Sequence, residues 1–165
     1  SVFEKTQGFK LSRYAEDIEF SIRMRDAGYK IGLITEAYVY HKRRTNLKQF
    51  YRQVFNFGRG RAMVGKVHPG EIKLTHWFPT FFLAGTLSLL VIPLISLKLS
   101  GVCNGLFLFY LLAILIHSYK EHKDVRVALL SLPAALLQLW GYGAGFISEK
   151  LGIIHCKNSL NCSDA

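Results

Sequence analysis

Residues 77–97, 101–119 and 127–147 each run 19 to 21 positions without a Lys, Arg, Asp or Glu. A bilayer core takes about 20 apolar residues of helix, so this pattern predicts three transmembrane helices. A soluble three-helix core would show a polar face on each segment, and none does. Trp77, Tyr119, Trp140 and Tyr142 lie partly towards the segment ends, as interfacial anchors do.

Upstream the period changes. Ile18, Ile22, Arg25 and Ala27 recur at near-helical spacing behind the acidic run Glu16-Asp17-Ile18-Glu19, and Gly28 stops the pattern. A short helix over residues 16–27 is expected. Residues 29–34 and 37–41, rich in β-branched and aromatic side chains, predict two short strands around Thr35-Glu36. Over residues 46–66, Phe50, Val54, Phe55 and Ala62 alternate in helical steps with Lys48, Arg52, Arg59 and Lys66. That is the pattern of an amphipathic helix lying on a membrane surface. The expected organisation is an α/β piece over 1–45, an interfacial helix and linker over 46–76, three transmembrane helices over 77–147 and a tail over 148–165.

Charge sharpens the division. The chain of 165 residues carries a formal charge of +10, with 15 Lys and Arg against 7 Asp and Glu in residues 1–76, and 6 against 4 thereafter. Lys120, Lys123 and Arg126 cluster between the second and third apolar segments, which by the positive-inside rule puts that loop, and the basic N-terminal half with it, in the cytoplasm. An odd number of spans then carries the tail outside. Cys103, Cys156 and Cys162 have neither CxxC spacing nor histidine pairs beside them, which argues against zinc. His117, His122 and His155 are scattered, and His68-Pro69-Gly70 reads as a loop. Gly141 and Gly145 share a helix face at the spacing of close helix approach. The basic residues 41–44 and Lys48 accompany no nucleic-acid motif, so headgroup attraction is the simpler reading and no nucleic acid is expected.

Glu16 and Asp17 open a predicted helix, where carboxylates either cap the helix dipole or project into a cleft to take a proton. Together with Gly8-Phe9, Arg23, Gly28-Tyr29, Val39-Tyr40-His41, Arg44 and residues 53–61, they resemble the C-terminal part of a family 2 glycosyltransferase. The resemblance covers residues 1–66. It implies a GT-A nucleotide-sugar fold and an inverting displacement, with Asp17 as general base and Glu16 shaping the acceptor site. It further implies substrate or diphosphate contacts from Gln53, Arg59, Arg61 and Arg44, and a divalent ion, Mg or Mn, touched by His41 but held mostly by residues elsewhere. Against these stand a strand-end histidine bonded to backbone, and arginines facing anionic lipid. Where processive members carry Gln-x-x-Arg-Trp, this chain has Gln53 followed by Asn56 and Phe57, which favours single-sugar transfer over polymer synthesis.

The implied partners are a nucleotide-sugar donor, a lipid-linked or glycan acceptor and a membrane, by resemblance a bacterial inner membrane. The chain opens Ser1-Val2-Phe3 with neither an initiator Met nor a signal-peptide pattern. A fragment lacking the donor-binding half, inactive by itself, is therefore expected. A non-enzymatic membrane module with a basic juxtamembrane helix is the alternative.

Overall fold

The computed structural model describes residues 1–11, 14–41 and 45–153. Its helices are α1 (Val2–Lys5), α2 (Glu16–Asp26), α3 (Leu47–Val67), α4 (Phe78–Ser88), α5 (Ile92–Ile95), α6 (Leu97–His122) and α7 (Val125–Lys150). Two 3₁₀ turns, Pro69–Glu71 and Leu74–His76, link α3 to α4.

No strand forms among the described residues, so the expected α/β piece is not present. Residues 29–34 and 37–41 run as irregular, exposed chain, with Leu33 90% and Tyr40 95% accessible. Strand propensity records a fit to a pleated, half-buried surface, and here no neighbouring strand supplies one. The expected trio of membrane helices is also corrected. Two helices, α6 and α7, are long and apolar enough to cross a membrane by length and composition. Residues 77–97 instead divide at 89–91 into the 11-residue α4 and the four-residue α5. Pro93 explains the break, because it has no N–H to give Leu89 and its ring crowds the Leu89 carbonyl.

α3 begins where the Asn46 side chain accepts the Gln49 N–H at 2.8 Å. Instead of lying alone, it packs along the second half of α7, its largest partner. Contacts step by four on both helices, Tyr51 to Gly141, Phe55 to Gly145 and Arg59 to Glu149, so the two run parallel. Their backbones touch: a Cβ on Gly145 would strike the Phe55 carbonyl, and one on Gly58 the Tyr142 carbonyl.

α4 crosses the same region of α7 in the opposite sense. Trp77 stacks edge-on against Phe146 at 5.0 Å, and the Trp140 indole donates to Thr86 Oγ1 at 2.9 Å. The core lies at this junction, where Ala62, Val64 and Phe146 are fully buried. At the other end, Phe3, Phe9 and Phe20 form an aromatic cluster that seats the first residues on α2.

Candidate functional site

A cleft of about 720 Å³ opens between α2 and α3. Asp17, Ser21 and Arg25, one turn apart, line it from α2, with Ile18 and Ile22 as an apolar flank. Gly28 ends α2 in the left-handed conformation, φ 82°, and the Tyr29 N–H closes back on the Met24 carbonyl at 3.0 Å. This reversal brings Tyr29, Lys30 and Ile31 into the wall. Arg61 of α3 and Glu71 of the first 3₁₀ turn complete it.

Charge in the cleft is uneven. The Arg25 guanidinium donates to Glu71, which holds the Glu71 carboxyl below the usual carboxylate range and raises Arg25 above its own. Asp17, Lys30 and Arg61 enter no ion pair among the described residues, so the wall carries one carboxylate and two cations outside any ion pair. Such a wall suits an anionic group beside a proton acceptor.

The entry to α2 is unusual. Ala15 sits in the left-handed region, φ 57°, with no side-chain cap, and Asp17 Oδ1 accepts the Ile18 N–H at 2.8 Å. Gly60 makes this entry possible: a Cβ there would lie 3.1 Å from the Ala15 Cβ and 3.3 Å from the Tyr14 Cβ. The start of α2 therefore rests directly on α3, one residue before Arg61.

Glycosyl transferase family group 2, as a family model, matches residues 1–147 of the chain. The chain belongs to that family. No curated protein and no solved structure matches it.

In this family 2 glycosyltransferase, Asp17 and Arg61 are the two expected site residues that meet in the cleft. Glu16, half-buried, is outside the lining, and so is Gln53, eight residues before Arg61 on α3. Arg59 points elsewhere. Its guanidinium donates to Glu149 Oε2 at 3.1 and 3.2 Å, and Lys66 reaches Glu149 Oε1 at 2.8 Å, so the three pin α3 to the end of α7. His41 is exposed on the irregular chain, away from the cleft, and Arg44 lies outside the described residues.

The cleft does not fit a resident divalent ion. Such an ion takes about six oxygen ligands, whereas the cleft offers the carboxylates of Asp17 and Glu71, the latter engaged by Arg25, among three cations. No cluster of three His, Cys, Asp or Glu occurs among the described residues.

Sequence reasoning missed a second group of charges. Glu19, 0% accessible, accepts from Arg23 Nε at 2.7 Å and Nη2 at 3.0 Å, and lies 3.3 Å from His68 Nε2. Arg23 also donates to the Thr6 and Gly8 carbonyls. Hydrogen bonds from Arg23 outweigh burial and hold the Glu19 carboxyl below its ordinary range. The i,i+4 spacing of Glu19 and Arg23 was the available signal.

Proposed function

We propose that this cleft is the acceptor side of an inverting, membrane-associated glycosyltransferase that uses a nucleotide-sugar donor. Asp17 takes the proton of the acceptor hydroxyl as its oxygen bonds to the anomeric carbon and the bond from that carbon to the nucleoside diphosphate breaks. Arg61 offsets the charge released on the diphosphate; guanidinium pairs well with phosphate oxygens. A single observation carries the reading: a carboxylate of α2 and a guanidinium of α3, 44 positions apart in sequence, face one cleft.

Two long apolar helices, one of them packed on α3, support an acceptor held at the membrane, a lipid-linked or glycan chain at the cytoplasmic face. Holding such an acceptor at the depth of Asp17 removes much of the cost of bringing the reactants together.

Membranes carrying the native gene product are to be supplied with radiolabelled UDP-glucose, UDP-galactose, UDP-N-acetylglucosamine or GDP-mannose. Label is followed into lipid extract and into polymer. Asp17→Asn is expected to lower turnover about 10²- to 10⁴-fold, the range lost with a general base, with little change in donor binding. Turnover equal to wild type would refute the assignment.

A further inference from the structure

We propose that Glu19 and His68 are positioning residues for transfer, which set the Asp17 carboxylate opposite the Arg61 guanidinium; the inference rests on the reading of the cleft given above. Neither side chain lines the cleft. Glu19 follows Asp17 by two residues, about 200° around the helix, so its carboxylate points away from the reacting groups. Any effect on transfer must pass through the placement of α2.

The geometry gives that placement two anchors. Ala15 rests on Gly60, and Glu19 meets His68 at 3.3 Å. Asp17 lies between the α2 members of these anchors, and Arg61 between the α3 members. With the Arg25–Glu71 pair holding the far end of α2, these two contacts fix the separation and rotation of α2 beside Asp17. His68 is itself held, because its N–H closes α3 on the Val64 carbonyl at 2.7 Å. Arg23 engages both oxygens of the Glu19 carboxylate, sharing Oε1 with His68, and ties the pair to the Thr6 and Gly8 carbonyls.

Stability alone is a poor reason for this arrangement. Burying a carboxylate is costly, and apolar replacement of a buried ion pair is often neutral or stabilising. What an apolar pair lacks is direction. The forked Arg23 pairing, within α2, fixes where the Glu19 carboxylate sits, so its contact with His68 has one geometry, whereas apolar contact tolerates sliding.

The test follows transfer by the native gene product in membranes, using whichever of the four labelled nucleotide sugars the wild type turns over. His68→Ala is expected to lower kcat about 10- to 100-fold, since roughly 1 Å of misplacement costs up to 10²-fold. His68→Gln, which returns a donor towards Glu19, is expected to recover most of the loss. On an Asp17→Asn background, His68→Ala should cost nothing further, because the group it positions is gone. A merely structural role would impose the same fold-loss on both backgrounds, and that result, or wild-type kcat in His68→Ala, overturns the inference. Should His68→Ala fail to accumulate, Glu19→Gln carries the same comparison. Wild-type turnover by Asp17→Asn would strike instead at the base assignment, so the two failures are told apart.

Discussion

Glu19 keeps a charge where water does not reach it, and its cost or benefit therefore depends on pH. Arg23 depresses its carboxyl in the folded chain, so the unfolded chain binds the proton first as pH falls. The stabilisation is complete above the ordinary carboxylate range and is lost as pH drops through that range to the folded value. In detergent, the thermal-unfolding gap between wild type and Glu19→Gln is expected to narrow below about pH 4.3. A gap unchanged down to pH 3 would rule out the linkage. At this scale the sequence displayed the right residue types but not their partners. Arg59 and Arg61 are two positions apart and looked equivalent, yet the half-turn between them sends one to Glu149 and the other to the cleft. The meeting of Glu19 with His68, 49 residues away, depends on how α2 docks, which no local pattern encodes.

Helices α3 and α7 are held by the absence of side chains as much as by their presence. Gly145 and Gly58 put backbone against backbone, so a methyl group there must push the helices apart. Overpacking of this kind typically costs about 1–3 kcal/mol. Gly85 in α4 is the natural control, since a Cβ there meets nothing within 4 Å. Gly145→Ala is expected to lower the unfolding midpoint in detergent, while Gly85→Ala leaves it unchanged or raises it through helix propensity, worth up to about 1 kcal/mol. Equal shifts would contradict the close crossing. The spacing of Gly141 and Gly145 was legible as a close-approach face. That α3 fills it was not, because the basic and apolar faces of α3 suit a membrane surface equally well. The misread strands have a similar origin: β-branched residues declare a preference, and the pairing that realises it is non-local. Pro93 was visible in the sequence, but uninterrupted hydropathy outweighed its effect on the helix.

At the scale of the molecule, α3 fixes which end of α7 belongs with the cleft. Contacts from α3 fall on Gly141, Tyr142, Gly145, Phe146 and Glu149, in the second half of α7. The 21 residues 127–147, free of Lys, Arg, Asp and Glu, rise about 30 Å, a bilayer's apolar thickness. With α6 and α7 both crossing, the turn between them, residues 123–124, lies on the face opposite the cleft, and Lys150 returns to the cleft side. Loop charge alone argues otherwise, because Lys120, Lys123 and Arg126 would draw that turn to the basic side. The larger excess is elsewhere: residues 1–76 hold 15 basic against 7 acidic positions. In a chain with Cys103, Cys156 and Cys162 replaced by Ser, a cysteine at Glu121 and one at Lys73 are expected to react with an impermeant maleimide from opposite faces of sealed vesicles. Labelling of both from the same face would mean that α6 stays on one side, or that residues 77–97 cross as well and return the turn to the cleft side, and either overturns this placement of the turn.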